Sequence, residues 1–351
     1  MKGKNNIKLR EVEFTDLEDW NKDDHIEALQ AFTNSCRKFA KMSQSAIIAG
    51  QLGNITAGDY RDVCEIAEVL RNLSSKQTKN FFENWFRPFA IESRSGNDEG
   101  VFTGYYEAVL NGSKVKTDIY QYPVYARPKN LTASEEYLTR AEIESGALKN
   151  KKLELLYVDD KVDLFFAHIQ GSMRVKMTDG REVRLAYAGR NNQPFTAIAN
   201  PMVEKKLLSR SKANSATVRD WLRENPSQAD EIMNINNAYT FFRVFDGEYV
   251  IGAQNVPLTA GRSLAIDDEI IPYGSLLWVE TEIKKRKGGN YDFNRLMVAQ
   301  DTGSAINGTV RGDIFFGSGK EAEEKAFYMA SRGKYFILLP ISVVEKMMSK
   351  K

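Results

Sequence analysis

Two aspartates lie close together in one glycine-rich stretch near the C-terminal end of the chain, Arg295 to Lys320. The apolar run Leu296–Ala299 predicts a strand that ends near Asp301. A turn-rich segment follows and carries a second acid, Asp313, just before the short aromatic strand Ile314–Phe316. Carboxyl groups at strand ends, in loops that glycines allow to approach a ligand, are typical of acid–base catalysis on a rigid scaffold.

Two other interpretations of these acids have to be weighed. The run Val298–Ser304 is close to the signature of aspartic proteases, which need two Asp-Thr/Ser-Gly loops that share a proton. The other Asp-Gly pairs begin at Asp179 and Asp246 and lack the Thr or Ser, which disfavours this class. Alternatively, Asp301 and Asp313 are only turn or capping residues, because aspartate is common in turns for local reasons.

The bulk composition excludes several other functions. The chain has 351 residues, enough for two domains, and its net charge of +2 does not favour nucleic acid as the main partner. No apolar run approaches the roughly 18 residues of a membrane span. Only two histidines (His25 and His168) and two cysteines occur, which disfavours a zinc site or a Ser-His-Asp triad. His168 follows an apolar run, and we expect it to be a hydrogen-bonded residue of the core or of a groove.

The hydrophobic pattern predicts the elements that position the acids. The first 90 or so residues predict helices, including Asp23–Met42 and Ser75–Trp85, with Pro88 ending the pattern. From Gly100 onward the pattern indicates strands, and a terminal strand is expected at Tyr335–Val344. Further strands are predicted at Tyr120–Tyr125, Leu164–Ile169, Arg174–Met177, Arg184–Tyr187 and Tyr239–Arg243, with helices at Thr139–Leu148, Ser215–Asn225 and Ser227–Ile235 and a polar loop at Ile283–Asn294.

Several motifs together resemble one protein family. The pattern A-Q-D-T-G-S-A-I-x-G-x-x-R-G-D-x-F-x-G, from Ala299 to Gly317, is similar to the signature of the MltA family, the membrane-bound lytic murein transglycosylases A. The motifs F-T-G-Y-Y-E, H-I-Q-G-S and Y-A-G-R-N occur in the family's order. Ala108, Met173 and Arg190 stand where the family has proline, glycine and lysine. The resemblance runs from about residue 15 to residue 340.

The resemblance implies a fold and a location. The expected fold is mainly β with added helices: a double-psi β-barrel domain plus a smaller inserted β-rich domain, with a groove between them. The expected domains are residues 1–108 with 244–351, carrying the N-terminal helices, and the insert 109–243. The implied location is the bacterial periplasm, as a lipoprotein of the outer membrane. The N-terminus, Met1–Asn5, has no apolar signal region, so a lipid anchor would lie outside this sequence.

The expected redox state of the two cysteines depends on the location of the protein. Cys36 and Cys64 would be free thiols in a cytosolic protein. In the cell envelope that the resemblance implies, we expect them to form a disulfide.

The resemblance further implies that the chain is a lytic transglycosylase. Such an enzyme cleaves the MurNAc–GlcNAc β-1,4 bond of peptidoglycan and leaves 1,6-anhydro-MurNAc ends. Asp313 would act first as acid and then as base, which requires a raised pKa. Asp301 would either supply a neighbouring negative charge or hold the loop by accepting backbone N–H groups. Arg311 would oppose the raised pKa, so we expect it to point elsewhere. The alternative is a non-catalytic peptidoglycan-binding protein on the same scaffold.

Other residues are candidates for substrate binding. Two adjacent tyrosines could form a platform on which sugar rings stack, and polar groups would surround the reacting ring. These candidates are Thr103, Tyr105, Tyr106, Asp163, Gln170, Ser172, Arg190, Asn191 and Gly312. The expected partners are peptidoglycan glycan strands and other cell-wall enzymes. Neither a cofactor nor a metal is expected.

Overall fold

The computed structural model describes residues 7–48, 52, 55–70, 74–286 and 288–349. The chain forms two compact units, each of which draws on separate parts of the sequence. The first, here called the barrel unit, comprises Met1–Gly104, Ile251–Phe316 and Met329–Lys351. The second, the insert unit, comprises Tyr105–Val250 and Gly317–Tyr328. The insert unit is thus a few residues longer at each end than the expected insert 109–243, and it also includes the segment Gly317–Tyr328.

The described residues fold into strands and helices in the following order along the chain. The strands are β1 (Ile7–Glu11), β2 (Phe86–Ser93), β3 (Gly100–Ser113), β4 (Tyr122–Tyr125), β5 (Glu154–Val158), β6 (Ser172–Met177), β7 (Glu182–Arg190), β8 (Thr240–Val244), β9 (Ser263–Ile266), β10 (Leu276–Lys284), β11 (Asn290–Asp301), β12 (Arg311–Ser318) and β13 (Ala330–Pro340). The helices are α1 (His25–Phe39), α2 (Arg61–Val69), α3 (Ser75–Trp85), α4 (Arg140–Glu142), α5 (Lys161–Gln170), α6 (Ala199–Glu204), α7 (Ser215–Glu224), α8 (Pro226–Met233), α9 (Lys320–Tyr328) and α10 (Ile341–Met348).

A closed ring of six strands forms the centre of the barrel unit. The ring runs β13-β10-β11-β9-β12-β3 and returns to β13, where Ala330 pairs with Thr103. Its pairs are antiparallel between β10 and both neighbours, whereas β9 lies parallel to β11. Closure removes free strand edges and encloses fully buried residues such as Leu296 and Ile337. The expected fold class, a double-psi β-barrel with an inserted β-rich domain, is confirmed.

Helices of the N-terminal segment pack on this barrel. Asp24 caps α1 by accepting hydrogen bonds from the backbone N–H groups of Ile26 and Glu27. One face of α1, including Phe32, is buried in the core of the barrel unit. Cys36 of α1 forms a disulfide with Cys64 of α2, with Cα atoms 5.2 Å apart. The expected pairing of the two cysteines is therefore present.

The insert unit also contains a ring of strands. Its order is β5-β3-β6-β7-β8, with β3 and β6 parallel. Strand β4 pairs with β5, and a single bridge between Ala126 and Phe242 links the β4 end of the ring to β8. Met173, which stands at the family's glycine position, is fully buried in this unit. The ring fixes the positions of β6 and β7. Strand β6 begins at Ser172 and β7 ends at Arg190, and both residues belong to the predicted polar motifs.

One predicted strand in the insert unit is wrong. Residues Leu164–Ile169 lie in α5, because a short apolar run fits a buried helix as well as a buried strand. The signals that decide lie at its ends. The Asp160 side chain accepts a hydrogen bond from the backbone of Asp163, 2.8 Å away, and Gly171 ends the helix with a φ of 79°.

Three expectations for the barrel unit also need correction. The first 90 residues are not purely helical, since they contain β1 and β2, and Pro88 lies inside β2. The Pro88 carbonyl accepts a hydrogen bond from the backbone N–H of Val12, and Pro88 pairs in register with Leu338 of β13. Most of the expected loop Ile283–Asn294 is a β10–β11 hairpin, although Lys287 lies outside the described residues. The predicted terminal strand ends at Pro340, after which α10 begins.

Candidate active site

The two candidate acids lie on either side of the same short strand. Asp301 at the end of β11 and Asp313 on β12 both pair in register with Ala265 of β9. Adjacent strands are about 4.8 Å apart, so the two acidic backbones are separated by about 10 Å. The barrel unit therefore brings together two residues that are 12 positions apart in the sequence.

Asp313 contacts a short chain of hydrogen bonds. The hydroxyl of Thr103 donates to Asp313 Oδ1 at 2.7 Å. The guanidinium of Arg311 donates from Nη2 to the same hydroxyl oxygen at 2.8 Å. The expectation that Arg311 points away from Asp313 is therefore wrong: Thr103, distant in sequence, gives the guanidinium a partner beside the acid.

Burial raises the pKa of the Asp313 carboxyl, although the residue keeps some exposed area. Loss of hydration disfavours the charged form of a carboxyl group. The charge of Arg311 and the hydrogen bond from Thr103 act against this and lower the same pKa. The net direction is upward, so Asp313 is more easily protonated than an ordinary surface aspartate.

Gly312 has a packing role beside Asp313. A Cβ atom at this position would lie 2.8 Å from the ring of Phe102 and 3.0 Å from the Leu264 side chain. Only glycine lets β12 pass this close to its neighbours. Gly312 was a candidate for substrate binding, and its buried position instead supports the placing of Asp313.

Asp301 holds the backbone around it. Its Oδ1 accepts hydrogen bonds from the backbone N–H of Ala253 at 2.9 Å and of Thr302 at 3.0 Å. The Thr302 hydroxyl in turn donates to the Ile266 carbonyl. Of the two roles considered for Asp301, these contacts support the holding of the loop, since the pKa of Asp313 is raised by burial.

The adjacent tyrosines of the insert unit are both buried. Tyr105 is 9% exposed and Tyr106 is 3% exposed. The Tyr106 hydroxyl donates to Glu323 of α9, and its ring contacts Phe327 edge-on. An open stacking platform requires an exposed ring face, so the burial of these tyrosines does not support the predicted platform.

Gln170 and Ser172 flank the sharp turn at Gly171. The Gln170 side-chain oxygen accepts a hydrogen bond from the backbone N–H of Tyr106 at 3.0 Å. Ser172 begins β6, paired with Ala186 of β7. Both side chains remain partly exposed, as substrate-binding residues must be.

Asp163 belongs to a network of charges that joins helices of the insert unit. It lies 2.7 Å from Arg223 and 3.8 Å from Arg219, both on α7. Arg219 also bonds Glu323 of α9 at 2.7 Å. Burial is the main reason that the pKa of Asp163 is raised. Through these ion pairs, Asp163 links α5 to α7.

The adjacent candidates Arg190 and Asn191 differ sharply in exposure. Arg190 is exposed at the end of β7, whereas Asn191 is fully buried. The Asn191 amide nitrogen donates to the carbonyls of Leu138 and Asn237, both at 2.8 Å. Its oxygen accepts from the backbone N–H of Tyr239. Both amide protons of Asn191 are thus used to hold the fold.

One prominent cluster was missed by the sequence reasoning. Glu107, fully buried, accepts bonds from Arg184 at 2.6 Å, from Arg174 at 3.0 Å and from the Ser318 hydroxyl. Glu107 follows the two tyrosines in the F-T-G-Y-Y-E motif, and the available signal was an arginine in each of two predicted strands, Arg174 in β6 and Arg184 in β7.

Among the described residues, no group of three or more His, Cys, Asp or Glu side chains could hold a metal ion. Across the same part of the chain, no helix has the length and apolar character needed to cross a membrane.

Comparisons with known proteins agree with these features. Residues 101–243 match the family model described as the MltA specific insert domain, and residues 262–339 match the 3D domain. The membrane-bound lytic murein transglycosylase A of Escherichia coli K12 is 31% identical over 267 residues, which cover 74% of this chain and 71% of that protein.

Solved structures give the same result. The crystal structure of the membrane-bound lytic murein transglycosylase from Agrobacterium tumefaciens has a TM-score of 0.86 at 32% identity, covering 97% of this chain and 99% of the other. That of MltA from Neisseria gonorrhoeae, in its monoclinic form, has a TM-score of 0.78 at 31% identity, covering 96% and 94%.

Proposed function

This chain belongs to the MltA family, and from that premise we propose that it is a lytic transglycosylase acting on peptidoglycan. It would cleave the β-1,4 bond between MurNAc and GlcNAc and leave 1,6-anhydro-MurNAc ends. The observation that supports this most is Asp313, a carboxyl with a raised pKa beside a single hydroxyl donor.

A single carboxyl group is enough for this reaction. Ordinary glycosidases use two, one as acid and one as base or nucleophile. In a transglycosylase the nucleophile is the C6 hydroxyl of MurNAc itself, so no water has to be activated. The same carboxyl group can therefore act twice, and its proton is restored at the end of the cycle.

The proposed cleavage takes place in two steps. Asp313 donates its proton to the glycosidic oxygen, the bond from that oxygen to C1 of MurNAc breaks, and GlcNAc leaves with a free C4 hydroxyl. The ionised Asp313 then takes the proton from the C6 hydroxyl while O6 attacks C1. A raised pKa favours the first step, because the acid must be protonated near its working pH.

Other residues are assigned supporting roles in this proposal. Thr103 holds one oxygen of Asp313, and Asp301 fixes the loop at the end of β11. Gln170, Ser172 and Arg190 are retained as glycan contacts because each is at least partly exposed. Tyr105, Tyr106, Asp163 and Asn191 are given structural roles.

The location of the protein is part of the same proposal. The relatives are named membrane-bound, which supports a periplasmic, membrane-associated protein. The disulfide between Cys36 and Cys64 fits an oxidising compartment. An outer-membrane lipid anchor and contacts with other cell-wall enzymes remain proposals.

The mass of the product released from purified sacculi tests the activity. A transglycosylase releases an anhydro end, which is lighter by one water than the end that a hydrolase releases. We expect the anhydro mass. A hydrolysed end would contradict the proposed reaction, and binding to sacculi without any release would favour the non-catalytic glycan-binding alternative.

A further inference from the structure

We propose that Arg311 is a positioning residue that acts on Asp313 through the hydroxyl of Thr103. The relay Arg311–Thr103–Asp313 commits Oδ1 of the acid to accepting a hydrogen bond, so that the transferable proton is carried on Oδ2. The catalytic meaning of this inference rests on the proposed function, whereas the hydrogen bonding does not.

The direction of each bond follows from the chemistry of the groups. A guanidinium group can only donate, so the Thr103 oxygen must accept from Arg311 Nη2 at 2.8 Å. A hydroxyl group has one proton, and the positive charge of the guanidinium orients that proton away from itself. The acceptor 2.7 Å from the hydroxyl oxygen is Asp313 Oδ1. Thr103 is therefore a donor to the acid in this arrangement.

Arg311 is itself held in place by other groups of the barrel unit. Its Nη1 donates to the Val101 carbonyl at 3.3 Å and to the Gly312 carbonyl. The guanidinium thus bonds acceptors on β3 and β12, the two strands that carry Thr103 and Asp313. Its orientation is set by the barrel before any substrate binds.

The relay acts against burial on the same acid. Burial raises the pKa of Asp313, while Arg311 and the Thr103 hydrogen bond lower it. The β9 residue in register is Ala265, which is uncharged, and Asp301 on β11 accepts backbone N–H groups of Ala253 and Thr302. Arg311 is therefore the charged group that these strands direct at the acid. It limits how far the pKa rises.

The relay affects the alkaline side of the pH–activity profile. The protonated form of Asp313 is the active acid, so activity falls as the pH rises through its pKa. Removing a group that lowers this pKa moves the fall to higher pH. A hydrogen bond or neighbouring charge changes a carboxyl pKa by about one unit or more, so shifts of that size are expected.

Four variants test the relay by the pH dependence of kcat/KM and by a nuclear magnetic resonance titration of the Asp313 carboxyl carbon. Thr103→Val removes the hydroxyl at similar volume, and Arg311→Met removes the charge but keeps a long side chain. Each should move the alkaline fall and the titration upward by about one pH unit. Thr103→Ser keeps the hydroxyl and should leave both near wild type. In the double variant Thr103→Val/Arg311→Met, the shift should be smaller than the sum of the two single shifts, because both belong to one relay.

Several results would overturn the inference. An unshifted titration in Thr103→Val or in Arg311→Met would show that the relay does not reach the acid, and fully additive shifts would show that Arg311 acts independently of Thr103. A role in folding alone would lower activity at every pH without moving the alkaline fall, and thermal unfolding of each variant identifies that case.

The titration can test the relay independently of the proposed enzymatic activity. Asp313→Asn identifies the carbon signal by its disappearance, and no turnover is needed to read it. If no substrate is cleaved, the proposed function fails while the titration still decides the relay.

Discussion

Two carboxyl groups, each in a different sequence motif, have very different surroundings. Glu107 of the insert unit is fully buried and accepts bonds from two arginines and one hydroxyl. Asp313 of the barrel unit keeps some exposure and accepts a bond from one neutral hydroxyl. Two ion pairs and a hydroxyl group surround the first carboxyl group, whereas burial raises the pKa of the second, which favours the uptake of a proton.

The difference suggests how a proposed catalytic acid can be distinguished from a structural carboxyl group. The two groups differ in exposure and in their donors. Glu107 is fully buried with two arginine partners, which commits it to structure. Asp313 is partly exposed and accepts from the Thr103 hydroxyl, which suits the proposed chemistry. Glu107 and Asp313 can therefore be tested against each other.

The largest expected loss of stability comes from the insert unit. Glu107→Ala leaves the guanidinium groups of Arg174 and Arg184 without their shared carboxylate. Breaking a buried ion pair on one side costs about 3–5 kcal/mol. Denaturant unfolding should show this loss in Glu107→Ala. The matched control is Glu182→Ala, since Glu182 is half-exposed and lies 3.6 Å from Arg174, and it should cost less than about 1 kcal/mol. Equal losses in the two variants would show that Glu107 contributes no more to stability than a surface carboxyl group. The structural role that distinguishes Glu107 from Asp313 would then be contradicted.

The barrel unit is stabilised by a covalent cross-link, whereas the insert unit contains the ion pairs of Glu107. Cys36 and Cys64 are 28 positions apart, and closing a loop of that size is worth about 3–4 kcal/mol in the chain-entropy model. We expect Cys36→Ala/Cys64→Ala to unfold at correspondingly lower denaturant concentration. Two reactive thiols in denatured, unreduced protein from the cell envelope would show instead that the disulfide does not form.

Asn191 and Arg190 allow a smaller test within the insert unit. Asn191→Ala removes the partners of three backbone groups, of Leu138, Asn237 and Tyr239, and unpaired buried polar groups cost about 1–3 kcal/mol. Arg190→Ala should leave thermal stability almost unchanged and weaken the binding of glycan strands. Loss of binding in a stable Asn191→Ala protein would return Asn191 to the list of substrate contacts.

Each unit also holds one buried histidine, and acid should affect both. Burial lowers the pKa of His25 and lowers that of His168 well below its usual value. His168 Nδ1 lies 3.1 Å from Arg140, so protonation would place two cations side by side.

For a histidine with a lowered folded pKa, stability is lost as the pH falls below the ordinary value of about 6.5, by up to about 1.4 kcal/mol per pH unit. Free energies of unfolding measured from pH 7 to 5 should show this slope. His168→Leu should reduce it while His25 retains its share, and an unchanged slope would contradict the assignment.

The sequence predicted the parts of the fold that depend on local patterns. The strands around Asp301 and Asp313 were identified because an apolar run, glycines and an aromatic run follow one another. Helix α5 was missed, since its apolar residues fit either kind of element and only its ends distinguish them. Strand β2 was missed because its pairing partners lie in β1 and β13, far away in the sequence.

The candidate site was predictable in its residues but not in their contacts. Asp313 and Thr103 were both selected, yet the direction of Arg311 depends on Thr103, a residue 208 positions away. The burial of individual residues could not be predicted from the sequence either. Tyr105, Tyr106 and Asn191 belong to polar or aromatic motifs, and only the packed structure shows that they are buried. Tertiary contacts therefore decided which motif residues are free to meet a ligand.

The most direct test of Asp313 as the single acid and base is the substitution Asp313→Asn, assayed by the anhydro product released from purified sacculi. Asparagine keeps the shape of the side chain but cannot donate or accept the proton. We expect a folded protein, at least as stable as wild type at neutral pH because a buried ionisable group is removed, that still binds glycan strands. Product release should fall by at least about a hundredfold, while Asp301→Asn should be milder. If Asp313→Asn kept more than about a tenth of the wild-type turnover, a barrier change below about 1.4 kcal/mol, the catalytic acid would have to be another residue.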